Sequence, residues 1–282
     1  MQFETLLYEV KDRKAYITLN RPQVLNAINI DMPREIESAV YLANSDRNVH
    51  VIVISGAGDA FCSGYDLKAF AEAGVGTQPK VWDPMLDFHF MKENTDHFSS
   101  LFRSLKPTIC KVHGYAVAGG SDIALCCDLI IMAKNAKIGY MPARVWGTPT
   151  TAMWALRLGL EKAKAMLFTG DVIDGEQAKE WGLVLDAVDE DVLDNKVEEL
   201  ADRIAGVPIN QLMMQKLVLN QMAVNAGMNA MQTMATVFDG ISRHSPEGRW
   251  FQKYAAENGF HEAVNWRDSG KWIPDGEVPE DK

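Results

Sequence analysis

Gly114-Tyr115-Ala116-Val117-Ala118-Gly119-Gly120-Ser121-Asp122 follows the apolar run Ile109-Cys110-Lys111-Val112. That order predicts a strand, a tight Gly-rich turn and then a helix through Ser121-Asp122-Ile123-Ala124-Leu125. Glycines at such a junction permit backbone conformations closed to other residues and let a ligand approach closely. The first N–H groups of a helix lack partners within it. With the helix dipole they favour a developing negative charge. Close packing of strand against helix also calls for glycine, so this turn alone leaves both readings open.

A second stretch has the same grammar. The strand signal Val49-His50-Val51-Ile52-Val53-Ile54-Ser55 and the turn Gly56-Ala57-Gly58-Asp59 precede Ala60-Phe61-Cys62-Ser63-Gly64-Tyr65-Asp66-Leu67-Lys68. Two strand-then-glycine junctions are able to aim two backbone N–H groups at one carbonyl oxygen, forming an oxyanion hole. Losing one such donor costs about 3–4 kcal/mol of transition-state stabilisation.

Further segments stand in a definite order around these two. Asn20-Arg21-Pro22 and Leu25-Asn26-Ala27 precede them. Cys127-Asp128-Leu129-Ile130, Ala136-Lys137-Ile138-Gly139, Phe168-Thr169-Gly170 and Ala178-Lys179-Glu180-Trp181-Gly182-Leu183-Val184 follow. With Phe61–Leu67 and Val112–Gly120, this series resembles the crotonase, or enoyl-CoA hydratase/isomerase, superfamily over most of the chain. The resemblance implies an α/β fold: a spiral of ββα units over 1–190, carrying an acyl-CoA site, and a C-terminal helical region over 191–282 making subunit contacts. It also implies a homotrimer or a hexamer built as a dimer of trimers.

Composition agrees with a globular enzyme. The 282 residues are 47% hydrophobic and 23% charged, enough for a substantial core. The net charge of −10 argues against nucleic acid as a partner, since such binders need a basic face. Acidic residues gather at Asp186–Asp202 and at Asp275, Glu277, Glu280 and Asp281, read as solvated surface. Cys62, Cys110, Cys126 and Cys127 lack metal or disulfide spacing and read as reduced thiols. The chain opens on strand-like Thr5 to Val10 without a signal-peptide pattern or a membrane span, so the cytoplasm is the expected compartment.

Along the chain, residues 5–19 read as a hairpin turning at Asp12-Arg13, and 31–44 as a helix with Asp31 as N-cap. The glycines and proline between Gly74 and Pro84 suggest a mobile loop, and 87–104 reads as a helix. Strands are expected at 108–112 and 128–133, and helices at 193–205, 210–226 and 228–243. Met213, Met214, Met222, Met228, Met231 and Met234 read as core or subunit packing, with an adaptable wall for an acyl chain as the alternative.

The chemistry follows from the resemblance. It implies that the backbone N–H groups of Tyr65 and Gly119 hold the thioester oxygen of an acyl-CoA as an enolate forms. It places the coenzyme A portion along Val24–Ala27 and Tyr65–Lys68, with Arg21 and Lys68 facing its phosphates and Val24, Ala27, Asp66 and Leu67 beside them. It implies no cofactor beyond the coenzyme A of the substrate, and no metal. Related hydratases carry a glutamate just after the Gly-rich turn and another twenty residues later; here those positions hold Asp122 and Pro142. Proline carries no proton, so Asp122 is the acid/base candidate. Nearby Arg144 is a candidate for binding a substrate carboxylate. His113 is expected to be a hydrogen-bonded core residue, and His89 and His97 surface residues. Trp82, Trp146 and Trp154 fit either a bulky apolar pocket or the core. The default reaction is hydration of a 2-enoyl-CoA. Alternatives are a single-aspartate isomerase, thioester hydrolase or C–C hydrolase, a non-catalytic acyl-CoA-binding protein, and a purely structural subunit.

Overall fold

A computed structural model describes residues 3–72 and 81–274. Most of the loop expected between Gly74 and Pro84, and the acidic group from Asp275 onward, lie outside the described residues. The hairpin forms from β1 (Leu6–Lys11) and β2 (Lys14–Leu19), with Leu6 opposite Leu19 and Lys11 opposite Lys14. Asp12 and Arg13 both take positive φ, as a two-residue hairpin turn requires. α1 (Met32–Ser45) carries Pro33 in its first turn. Its N-terminus is held by Asn29 Oδ1, which accepts the Met32 N–H at 3.1 Å, and not by the Asp31 side chain as expected. α1 buries Met32, Ile36, Ala39, Val40 and Ala43, a helical stripe facing the sheet.

β3 (Val51–Gly56) then pairs in parallel with β2. After α2 (Pro84–Arg103) come β4 (Thr108–Val112), β5 (Tyr115–Val117) and α3 (Gly119–Leu125). The next turn repeats the pattern with β6 (Leu129–Ala133), β7 (Lys137–Gly139) and α4 (Met153–Thr169). β8 (Val172–Asp174), α5 (Gly175–Glu180) and β9 (Asp186–Val188) complete two sheets. One has the order β1-β2-β3-β4-β6-β9, the other β5-β7-β8. The units β4-β5-α3 and β6-β7-α4 thus each send their first strand to the large sheet and their second to the small one, whereas β1 and β2 both lie in the large sheet. The Gly-rich stretch is therefore not one turn: Tyr115–Val117 is a strand of the small sheet, and turns flank it on both sides.

The rest is helical, as read. α6 (Glu190–Ala205) packs on the large sheet, and Lys14 Nζ reaches Glu198 and Asp202 on it. α7 (Ile209–Asn225), α8 (Met228–His244), α9 (Pro246–Asn258) and α10 (Phe260–Asp268) follow. α9 and α10 build a second small core from Phe251, Ala255 and Ala263 against Ala71 and Val145.

α8 has its polarity reversed. It buries Gln232, Thr236 and Asp239, while Met234, Val237, Phe238 and Ile241 face outward. α7 likewise buries only Lys216 and exposes Met214, Leu217, Val218, Leu219 and Met222. Lys216 Nζ pairs with Asp128 at 2.7 Å and donates to the carbonyls of Leu101 and Lys106. Lys216 is buried and Asp128 partly so, and removing the amine leaves that carboxylate without its cation, held only by the Thr108 N–H and hydroxyl. Lys216→Met is therefore expected to lower unfolding stability by about 3 kcal/mol, measured by urea denaturation.

Candidate active site

The two glycine segments lie side by side. Cys62 N–H donates to Tyr115 O at 2.8 Å, and Val117 N–H donates to Cys62 O at 3.1 Å. A Cβ on Gly120 would stand 2.3 Å from Cys62 O, so only glycine allows this approach. Ala118 takes φ 52 and ψ −127, a conformation costly for any residue with a Cβ. Its N–H is tied to Gly139 O at 2.9 Å, and the strained residue turns the chain sharply from β5 into α3. Neither the Tyr65 N–H nor the Gly119 N–H has an acceptor among the described residues. α3 has only seven residues, so what this junction offers a ligand is individual N–H donors more than a helix dipole.

Both segments open onto a cavity of about 350 Å³. Tyr65, Leu67, Phe70, Trp82, Phe90, Met91, Tyr140 and Trp146 give it apolar and aromatic walls. Pro142 lines it too, so the position expected to bear a second glutamate does face the pocket. Trp154, by contrast, is core. Trp146 holds φ 77 while its ring packs 5.5 Å from that of Phe251.

Asp122, in the first turn of α3, is 3% exposed and faces the same cavity. Burial pushes its carboxyl up to about 7, against the opposing hydrogen bonds from Thr151; nearby Asp239 pushes the same way as burial. Thr151 Oγ1 donates to Asp122 Oδ1, and Gln232 Nε2 on α8 fixes Thr151 by donating to its carbonyl at 3.0 Å. A carboxyl balanced near neutrality gives or takes a proton at small cost.

A second carboxyl shares the cavity. Asp239 on α8 is 4% exposed and lines the pocket. Its Oδ1 accepts the Thr148 N–H at 3.0 Å, and its Oδ2 lies 3.0 Å from Arg243 Nη2. Arg243 also holds Asp87 at 2.9 Å. Burial raises the Asp239 carboxyl above its ordinary value although Arg243 pulls it down. Burial, with Asp122 and Asp239 adding to it, pushes the phenols of Tyr65 and Tyr140 well up, so both remain protonated. Sequence reading does not single out Asp239. The signal that finds it is the polar stripe Gln232-Thr236-Asp239-Arg243, spaced four, three and four along a Met-rich helix.

Other expected residues take different places. Arg21 donates to Ala27 O and pairs with Asp66 at 3.1 Å, so its charge is already neutralised within the protein. Val24 and Lys68 are exposed, Ala27 is buried and Leu67 lines the cavity. Arg144, a candidate for binding a substrate carboxylate, is not among the residues that line the cavity. It donates to the carbonyls of Thr169 and Asp268 and pairs with Asp171, clamping α10 to the end of α4. Arg144→Met is accordingly expected to lower the melting temperature by about 4 °C while leaving kcat/KM unchanged, as calorimetry and initial rates would report. His113 Nε2 meets Gly58 O at 2.7 Å, half-buried and not in the core; His97 pairs with Glu37, and His89 is exposed beside Glu93. All four cysteines are buried and free. Among the described residues no cluster of His, Cys, Asp or Glu is placed to hold a metal ion, and no helix is long and apolar enough to cross a membrane.

Comparison with known proteins adds to this geometry. The enoyl-CoA hydratase/isomerase family profile matches residues 9–258. A crystal structure of an enoyl-CoA hydratase from Mycobacterium smegmatis superposes with a TM-score of 0.89 at 48% identity, covering 95% of this chain and 94% of that one. A probable enoyl-CoA hydratase from Rhizobium meliloti is 34% identical over 78% of this chain and 83% of its own. A 1,2-epoxyphenylacetyl-CoA isomerase from Escherichia coli is 28% identical over 79% of this chain and 84% of its own. The profile match over most of the chain, the sequence identities and the superposition converge on one conclusion: the chain belongs to the enoyl-CoA hydratase/isomerase family.

Proposed function

We propose that this protein binds an acyl-CoA thioester and adds water across the double bond of a 2-enoyl group. The observation that carries the reading is a pair of backbone N–H groups without an acceptor among the described residues, on Tyr65 and Gly119, with a buried carboxyl held near neutrality, Asp122, on the same cavity. When water attacks carbon 3, electron density moves to the thioester oxygen. The two N–H donors stabilise that developing enolate. The water must lose a proton and carbon 2 must gain one, and Asp122 serves this traffic. Coenzyme A enters past Val24 and Lys68, the exposed members of the expected contact set, with Leu67 at the cavity wall.

A second reading is double-bond isomerisation, favoured by Pro142 at the position where related hydratases carry their second carboxylate. Isomerisation needs one group to take a proton and return it. The outward apolar faces of α7 and α8 support self-association into trimers, alone or paired as hexamers. Mass spectrometry of short 2-enoyl- and 3-enoyl-CoA esters after incubation, with the ultraviolet absorbance of the conjugated enoyl thioester, separates the two reactions. Hydration yields a CoA ester heavier by one water from the 2-enoyl substrate. Isomerisation alone leaves the mass unchanged and converts the 3-enoyl ester to its conjugated form.

A further inference from the structure

We propose that Asp239 is a second catalytic carboxyl, delivered by α8 to the place that Pro142 leaves without one. Its role rests on the hydration reading above, to which it adds a residue. Gly147 marks the place. A Cβ built there would lie 2.8 Å from Pro142 Cβ, 3.4 Å from the Tyr140 hydroxyl and 3.7 Å from Asp239 Oδ1. One point in space is thus bordered by the proline ring, a phenol and a carboxyl oxygen, and glycine keeps it open. Asp239 reaches this point from a helix far along the chain, whereas Pro142 belongs to the short turn at Met141–Ala143.

An ion pair alone does not account for Asp239. Arg243 already has Asp87 as a partner, so the three side chains bury two carboxylates against one guanidinium. An amide would serve as well as a carboxylate to accept the Thr148 N–H. Asp239 faces the cavity that Asp122 faces, and the two carboxyls are near enough to repel. The charged and titratable groups around it are Arg243 on its own helix, Asp87 from α2, Asp122 from α3, and the phenols of Tyr65 and Tyr140. His244, also on α8, lies 3.8 Å from Asp87.

The proton balance closes with this pair. One carboxylate takes a proton from water as its oxygen bonds to carbon 3. The neutral carboxylic acid of the pair gives its proton to carbon 2 as the enolate collapses. The product is the 3-hydroxyacyl-CoA, the two carboxyls have exchanged states, and transfer of one proton between them restores the start.

The test compares Asp239→Asn with Asp87→Asn on hydration of a short 2-enoyl-CoA. Both variants break the Arg243 cluster, but only the first removes a carboxyl from the cavity. Asp239→Asn is expected to lower kcat about 100-fold or more, with KM within about threefold and Asp87→Asn within about threefold of wild type in kcat. An Asp239→Asn variant with near-wild-type kcat, or equal losses in both variants, overturns the proposal. The wild-type pH profile of kcat supplies a check that needs no folded variant. Two carboxyls in opposite states give a rise and a fall with pH, and a single limb overturns the proposal. Wild-type protein that hydrates no 2-enoyl-CoA refutes the hydration reading itself, a result distinct from any ratio between variants.

Discussion

Asp122→Asn is expected to lower kcat by about 10²–10⁴-fold while leaving affinity for acyl-CoA esters intact. The amide keeps the size of the carboxyl and its ability to accept from Thr151, but it neither takes up nor releases a proton near neutral pH. Initial rates on a 2-enoyl-CoA and calorimetric binding of the same ester read the two quantities separately. Undiminished turnover would remove Asp122 from the chemistry. The variant should also be the more stable protein above neutrality. The folded-state carboxyl titrates at about 7, against 3.8 for the free group. A raised acid binds more protons folded than unfolded, so it destabilises the fold increasingly as pH climbs from about 4 to about 7. Each tenfold change in acidity is worth about 1.4 kcal/mol, so the cost reaches a few kcal/mol. Asp122→Asn escapes it. Its melting temperature should exceed that of wild type at pH 8, and the gap should narrow as pH falls toward 4. Equal melting temperatures at pH 8 would show that the site tolerates the charge.

Gly119→Ala should lower kcat by about 10²–10³-fold, a large effect for one methyl group. The added Cβ would stand 2.8 Å from Ile28 Cδ1 and 2.9–3.0 Å from the Tyr65 ring. These are side-chain atoms, so the fold yields locally and survives. The Tyr65 ring moves, and it belongs to one of the two donor residues. Tyr65 is also packed edge-on against Phe70, with ring centroids 5.9 Å apart, which leaves it little room to retreat. The displaced donor no longer meets the oxygen as charge develops. Because that interaction strengthens only in the transition state, the loss falls on kcat more than on KM. Steady-state kinetics with a circular dichroism control for folding checks both halves of the expectation.

The fold is legible where local chemistry and tertiary role agree. The Asp12-Arg13 hairpin, the buried alternation of Ala15, Ile17 and Leu19, and the two glycine segments all follow from short-range pattern. Tyr115–Val117 is hidden because three residues between glycines read as turn, and only pairing with Lys137–Gly139 makes them a strand. α8 misleads for the opposite reason. Its apolar residues follow helical spacing, but most of them point outward, and the buried face is largely polar. Asp239 is hidden with it. Arg144 shows how proximity in sequence misleads: two residues from Pro142, it turns away to hold Thr169 and Asp268. Asp122 is legible because it follows Gly119 within one short helix, where sequence spacing fixes spatial spacing.

The most direct test of the central claim is the infrared carbonyl band of a 2-enoyl-CoA, isotopically labelled at the thioester carbon, bound to Asp122→Asn. That variant is expected to hold the ester without turning it over. If the Tyr65 and Gly119 N–H groups both grip the thioester oxygen, the band falls to lower frequency than in free ester, and Gly119→Ala added to this background returns it toward the free value. A bound ester whose carbonyl band stays at the free frequency contradicts the account, because the pocket would then bind acyl-CoA without polarising the group on which the chemistry depends.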